Sequence, residues 1–309
     1  MTFTDQLQAA ERRADSMLCV GLDPEPAKFP GAWRGDASRI FEFCAAIVDA
    51  THDLVSAFKP QIAYFAAHRA EDQLERLMAH IKRVAPAVPV ILDAKRGDIG
   101  ATAAMYAVEA FERYQADALT LSPFMGFDSI EPYFKYDGKG LILLCRTSNP
   151  GGSDLQAQRL QGSQAQGSTA QGTQAQGSKA QAPDAPGSAS QPGDRLFEHI
   201  ARLAAGPWNA SGQLGLVVGA TYPAEIERVR TLAPTLPLLI PGVGAQGGDA
   251  AATVRAGWRG SVGPAGMHST GPVIVNSSRA VLYASAGDDF AGAARAVADA
   301  TRRTLNAAR

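Results

Sequence analysis

Eight short apolar runs recur along the chain, each followed by a stretch of different rhythm. The runs are Met17–Asp23, Leu54–Lys59, Val88–Lys95, Ala118–Ser122, Gly140–Arg146, Leu214–Ala220, Leu236–Val243 and Pro272–Ser278. Each is a near-continuous block rich in Val, Ile and Leu, not an alternation of apolar and polar residues. Strands buried on both faces of a parallel sheet have this pattern. Between the runs, apolar residues recur at helical spacing. Ile40, Phe43, Cys44, Ile47 and Val48 do so within Ala37–Thr51, and Leu74, Leu77, Met78 and Ile81 within Tyr64–Val84. Thr102–Tyr114, Asp194–Ala205 and Ala224–Leu232 fit the same period. Alternating strands and helices predict an α/β fold, and eight pairs predict a (β/α)8 TIM barrel with a helix after each strand. A doubly wound open sheet is the alternative. It lacks support, because no Gly-x-Gly-x-x-Gly follows the first run.

One segment breaks the rhythm. Gln161–Ala180 is four tandem copies of a five-residue unit, QGSQA, QGSTA, QGTQA and QGSKA. Across Gln161–Ser190 there is no Val, Ile, Leu, Met, Phe, Trp, Tyr or Cys. Such a stretch cannot offset an ordering entropy of about 1–2 kcal/mol per residue. The expectation is one barrel domain over 1–309, carrying a disordered Gln/Gly/Ser/Ala-rich insertion over 156–192, after the fifth strand.

Charge supplies the functional signal. The third run ends in Asp93-Ala94-Lys95-Arg96-Gly97-Asp98. Residues i and i+2 of a strand share a face, so Asp93 and Lys95 point one way and Arg96 the other. Taken alone, this cluster is as readily a salt-bridged strand end as a site. Other runs also end in polar residues: Asp23, Lys59, Ser122, Arg146-Thr147-Ser148-Asn149 and Asn276-Ser277-Ser278-Arg279. In a barrel these ends meet on one rim, where active sites of this fold lie. After the seventh run comes Pro241-Gly242-Val243-Gly244-Ala245-Gln246-Gly247-Gly248-Asp249, and Arg279 follows the eighth. A Gly-rich turn lets backbone N–H groups approach an anion, and an adjacent Arg suits a phosphate.

A net charge of −1 gives no bulk attraction to nucleic acid or to an anionic membrane. No apolar run approaches the roughly 18 residues of a membrane span, and the first residues lack a signal-peptide core. Cys19, Cys44 and Cys145 are far apart and sit in apolar segments. That points to buried thiols in a reducing cytoplasm. The histidines His52, His68, His80, His199 and His268 show no metal-ligand spacing.

The stretch DAKRGDIGATA at Asp93–Ala103 resembles the signature of the orotidine 5′-phosphate decarboxylase family. So do VGLDPEP at Val20–Pro26, FKPQIAYF at Phe58–Phe65, LSPFMGFDSI at Leu121–Ile130, CRTSNPG at Cys145–Gly151, PGVGAQGGD at Pro241–Asp249 and NSSRAVLYA at Asn276–Ala284. Their joint order is similar to that of the longer bacterial subgroup. The similarity runs from about Asp5 to Thr304, apart from the repeat. The resemblance implies a homodimeric barrel with shared active sites. It would convert orotidine 5′-monophosphate to uridine 5′-monophosphate and carbon dioxide with no metal and no organic cofactor. It implies Lys95 as the proton donor to the ring carbon, with Asp93 and Lys59 in the charged network. Asp98 would serve the neighbouring subunit's site, with Ile99 and Thr102. Asp23 would hold the ribose hydroxyls and Ser148, one residue beyond Thr147, would meet the pyrimidine. Gln246 and Arg279, with Gly244 nearby, would bind phosphate.

Two rival readings remain. Magnesium-dependent barrels such as hexulose-phosphate synthase and keto-gulonate-phosphate decarboxylase share the D-x-K-x-x-D strand. They carry an acidic residue near the end of the second strand, where this chain has Lys59. The other rival is a barrel that binds a phosphorylated nucleotide without turnover.

Overall fold

Eight strands pair in parallel in the order β2-β1-β8-β7-β6-β5-β4-β3. They are β1 (Leu18–Leu22), β2 (Ala57–Pro60), β3 (Ile91–Arg96), β4 (Ala118–Leu121), β5 (Gly140–Arg146), β6 (Leu214–Val218), β7 (Leu238–Pro241) and β8 (Val273–Ser277). Bridges from Phe58 to Val90 and from Gln61 to Asp93 bring β2 against β3, so the sheet curls into a barrel. The computed structural model describes residues 1–161, 193–243, 248–260 and 270–309. Each apolar run of the sequence coincides with one strand to within three residues at either end, and β2 and β3 run one residue past theirs, to Pro60 and Arg96.

The apolar runs serve two cores at once. Cys19, Ala57, Ile91, Ala118, Ile142, Val217, Leu239 and Ile274, one from each strand, pack inside the barrel with Phe3 and Leu7. Phe3 and Leu7 belong to α1 (Phe3–Ala14), and Phe3 N donates to Gly138 O at 2.8 Å, just before β5. Helix α1 thus covers the N-terminal mouth of the barrel. The alternate strand residues, among them Leu18, Val20, Leu92, Leu119, Leu143, Leu216 and Val275, face outward into a second core. The surrounding helices supply its other side: α2 (Ile40–Thr51), α3 (Ile62–Ala66), α4 (Glu71–Val84), α5 (Gly100–Val108), α6 (Leu196–Ala205), α7 (Pro223–Leu232), α8 (Ala250–Gly257), α9 (Arg279–Leu282) and α10 (Phe290–Asn306). Burial on both sides is why these strands read as continuous apolar runs.

The helical expectations hold in type and shift in detail. The periodic stretch Tyr64–Val84 is divided, because Arg69 adopts a left-handed φ of 52° between α3 and α4. Thr102–Tyr114 is an α-helix only to Val108, and Glu109–Arg113 continues it as a π-turn. The link from β4 to β5 holds short 3-10 turns at Phe127–Ser129 and Glu131–Lys135 where an α-helix was expected. Pro123, Gly126 and Pro132 make that segment a poor helix. All three cysteines are free and buried, as expected.

The repeat lies outside the described residues except for Gln161, but its flanks are informative. Leu160 N donates to Asp194 O at 2.8 Å and Gly193 N donates to Leu160 O at 3.2 Å, while Arg159 and Arg195 form an antiparallel bridge. The chain therefore leaves and re-enters the barrel side by side. Gln156–Leu160, which the sequence reading counted into the insertion, belong to the folded barrel, because the Gln156 side chain is bound to Arg146 and Thr147 beyond β5. Because its two ends already lie side by side, 162–192 can be replaced by a two-glycine joint, and a shorter connection costs up to about 2 kcal/mol less to close. The unfolding midpoint, followed by circular dichroism, should stay level or rise by a few degrees. A fall of more than about 5 °C would contradict this account.

Candidate active site

The barrel interior changes character one layer up. Two residues beyond each apolar interior position, the same face of the strand carries Gly21, Lys59, Asp93, Thr120, Leu144, Gly219, Pro241 and Asn276. Four of these are polar or charged, and all four are buried. They form a polar floor under the C-terminal mouth, on top of a dry apolar layer. This is where the low dielectric strengthens electrostatics most.

Asp93 is the hub of that floor. One carboxylate oxygen, Oδ2, accepts from Lys59 Nζ at 2.7 Å, and the other, Oδ1, accepts from Lys95 Nζ at 2.6 Å. Oδ1 also accepts from Thr120 Oγ1 at 2.9 Å. Asp23 Oδ1 lies 3.9 Å from Lys59 Nζ, so Lys59 sits between two carboxylates. Burial by itself would raise the Asp93 pKa. Lys59 and Lys95 outweigh it and hold the carboxyl well below the usual range. Burial would likewise lower the Lys59 pKa, but Asp93 and Asp23 outweigh it and hold the ammonium above its ordinary value. Both groups stay charged across the neutral range. The Lys59 side chain is 5% exposed and that of Lys95 is 45%, so Lys95 is the ammonium open to a ligand.

The strand face shared by Asp93 and Lys95 was legible in the sequence, but the route is not a plain strand. The register with β4 shifts between Leu92 and Arg96, and Lys95 has a left-handed φ of 47°. Such backbone in a non-glycine residue costs on the order of 1 kcal/mol or more and persists only when its surroundings hold it. Thr120 does so. Its hydroxyl accepts from Ala94 N and from Lys95 N, each at 3.0 Å, and donates to Asp93. One donor and two acceptor sites are thereby all used. Arg96 turns outward as expected, pairing with Glu109 at 2.8 Å and stacking over Tyr106 at 4.4 Å.

Above the floor is a cavity of about 560 Å³. Asp23, Lys59, Asp93, Lys95, Ser148 and Arg279 all line it, so six of the sequence-derived site residues converge. Asp98, Ile99 and Thr102 are not among its lining residues. Ile99 N donates to Asp98 Oδ1 at 2.8 Å, and the Ile99 side chain is exposed. Gly244 and Gln246 fall outside the described residues. The structure adds Gln61, Tyr64, Gln156, Asn276 and Ser278 to the lining, and Thr120 beneath it. Of these, Asn276 and Ser278 belong to the polar end of the eighth run, and Thr120 stands two residues past an interior apolar position of its run. Ser278 Oγ donates to Asp23 Oδ2 at 2.6 Å, whereas Asp23 Oδ1 and Asn276 Oδ1 are buried acceptors with no hydrogen-bond donor. Among the described residues, no group of three or more His, Cys, Asp or Glu is placed to hold a metal ion.

A parallel α/β barrel with a Lys–Asp–Lys centre at its C-terminal rim and an open Arg across the cavity belongs to the class that handles phosphorylated ligands at that rim. Within it the assignment is specific. The model of the orotidine 5′-phosphate decarboxylase / HUMPS family matches residues 16–296, and the chain belongs to that family. An orotidine 5′-phosphate decarboxylase of Leptothrix cholodnii is 72% identical over 309 residues, covering 100% of this chain and 98% of the relative. Among solved structures, an OMP decarboxylase of Leishmania donovani aligns with a TM-score of 0.72 at 34% identity, covering 99% of both chains. A UMP synthase of Leishmania donovani aligns with a TM-score of 0.78 at 36% identity, and this chain spans 56% of that longer one.

Two outcomes test the site's construction. Thr120→Val keeps the shape but leaves two backbone N–H groups without their acceptor, so stability to urea should fall by about 2 kcal/mol. No measurable fall would mean that Thr120 does not hold the bulge. Asp93→Asn removes a carboxylate whose folded pKa is depressed. Its stabilising effect is complete above the unfolded pKa near 3.8 and is lost as pH falls through the lower folded value. Wild type should therefore exceed the variant by about 3 kcal/mol at pH 7. The gap should close as pH drops below 3.8. A gap independent of pH would exclude the ionised carboxylate as its source.

Proposed function

We propose that this barrel decarboxylates orotidine 5′-monophosphate to uridine 5′-monophosphate and carbon dioxide, the last step of UMP biosynthesis, with Lys95 as the proton donor. One observation carries the reading: a half-open ammonium, Lys95, is held at 2.6 Å on a carboxylate that a second, buried ammonium keeps ionised. When the bond from the pyrimidine ring to the carboxylate breaks, carbon dioxide leaves and the electron pair stays on the ring carbon. That carbanion lies in the ring plane, where the π system does little for it. A fixed cation beside it in a water-poor cavity stabilises it, and the same Lys95 ammonium then delivers a proton to form the new C–H bond. Lys95 is left neutral and regains its proton from solvent. Asp93 orients Lys95, and Lys59 keeps Asp93 ionised. No electron-sink cofactor is required by this scheme.

The remaining roles follow the chemistry of the lining. Asp23, whose Oδ1 has no hydrogen-bond donor, suits a ribose hydroxyl. Arg279, with the Gln246 and Gly244 loop, binds the phosphate, and Ser148 reads the base. Binding energy gained at the phosphate, remote from the reacting carbon, holds the base against Lys95 and lowers the barrier. Lys59, rather than an acidic residue, at the end of β2 favours this reading over a magnesium-dependent sugar-phosphate reaction, and full activity in excess chelator separates the two.

The active unit is a homodimer that shares its sites. Ile99, Met105, Phe124 and Met125 are exposed large apolar side chains on the segments after β3 and β4, which are neighbours in the sheet. Such a patch suits a second copy of the chain. Ile99 is part of that patch, Asp98 and Thr102 adjoin it in sequence, and none of the three lines its own cavity, as residues lent to a partner would. The three free cysteines agree with a cytoplasmic enzyme.

Lys95→Ala should lower turnover at least about 10³-fold with the fold retained. Asp98→Ala should also be impaired. Mixing the two inactive variants and letting subunits exchange should restore about a quarter of wild-type activity, since half the dimers are mixed and each holds one intact site. The readout is loss of substrate absorbance, and no recovery after proven exchange would refute site sharing.

A further inference from the structure

The loop after β5 is built around a residue that does not itself line the cavity. Arg146 is 1% exposed. Its guanidinium pairs with Glu225 in the first turn of α7, binds Ser153 Oγ at 2.9 Å and Gln156 Oε1 at 3.3 Å, and stacks on Tyr222 with its carbon 4.1 Å from the ring centre. Gln156 carries the hold onward. Its Oε1 accepts from Thr147 N at 2.8 Å, and its Nε2 donates to Thr147 Oγ1 at 2.9 Å. Thr147 Oγ1 in turn donates to Asn149 Oδ1 at 2.6 Å. The Thr147 amide and hydroxyl are thus spent within the loop.

Two glycines show how closely this assembly is packed. A Cβ on Gly152 would lie 2.8 Å from Thr147 Oγ1, 2.9 Å from Arg146 Nη1 and 2.9 Å from Gln156 Oε1. A Cβ on Gly219, at the end of β6, would lie 2.7 Å from both Cα and N of Ser148. The loop is clamped from inside by Arg146 and Gln156 and seated from below on bare β6 backbone.

We propose that Arg146 and Gln156 are positioning residues: by engaging Thr147 they fix the register of the loop, so that Ser148 and not Thr147 is presented to the pyrimidine. The inference rests on the reading of the cavity as an orotidine-phosphate site. It extends that reading to what sets base recognition, and it separates that function from the phosphate grip on the far strands β7 and β8. Gln156 is then a determinant of base affinity without bonding to the base.

The test compares two ligands that differ only in the base, UMP and ribose 5-phosphate, by titration calorimetry. Gln156→Ala should weaken UMP about tenfold, the loss of one hydrogen bond's worth of positioning. Its affinity for ribose 5-phosphate should stay within about twofold, because the phosphate and ribose contacts are untouched. Thr147→Val in the Gln156→Ala background should add nothing further, since both changes break one link. Gln156→Glu keeps an acceptor for Thr147 N and Arg146, and should restore UMP affinity to within about threefold of wild type. Equal losses for both ligands, an undiminished UMP affinity in Gln156→Ala, fully additive effects, or a Gln156→Glu as weak as Gln156→Ala would each overturn the proposal. Wild-type protein that binds neither UMP nor turns over orotidine monophosphate would instead overturn the reading of the site, and that is visible before any variant is made.

Discussion

The site depends on one carboxylate shared by two ammonium groups. Asp93 lies 2.7 Å from Lys59 and 2.6 Å from Lys95, in a layer with apolar side chains directly beneath it. Removing ions from water costs several kcal/mol each, and their attraction offsets this only with good geometry and every lone pair used. Here the second carboxylate, Asp23, helps balance Lys59, and Thr120 completes Asp93. The array is intelligible as preorganised charge: Asp93 is kept ionised and Lys95 is held in place before any ligand arrives, so little reorganisation remains on binding.

Such an array needs a rigid frame. The barrel provides it through layering. One residue per strand fills an apolar plug, and the next inward position lifts polar groups onto it. The bulge in β3 then turns Lys95 toward Asp93 at the cost of a left-handed backbone, which the Thr120 hydroxyl from the adjacent strand holds in place. A strained residue pinned by a fully used hydroxyl, beside the charged hub, is where local sequence rules yield to function.

The cavity divides its labour by strand. β1, β2 and β3 carry the Asp23, Lys59, Asp93 and Lys95 charges, Arg279 follows β8, and the loop after β5 is held by Arg146 against α7 beyond β6. Substrate parts can therefore be gripped by separate elements on one scaffold. This is what allows binding energy at one end to act on chemistry at the other.

Much of this was legible in the chain. Eight continuous apolar runs define buried parallel strands, because a strand covered on both faces tolerates no alternation. The charged ends of those runs had to meet on one rim once the barrel closed, which is why Asp23, Lys59, Asp93, Lys95, Ser148 and Arg279 were found together. Other features belong to the tertiary structure alone. The break at Arg69 and the π-turn after Val108 are settings in which the fold interrupts a periodic pattern. The pairing of Thr120 with two backbone amides, and of Gln156 with Thr147, joins partners that neither residue type nor spacing names. Sequence by itself determined which faces are apolar and which strand ends are charged, since those follow from residue type and a period of two. Only the folded barrel decided which polar groups satisfy one another, because a hydrogen bond depends on distances between strands that spacing along the chain does not encode.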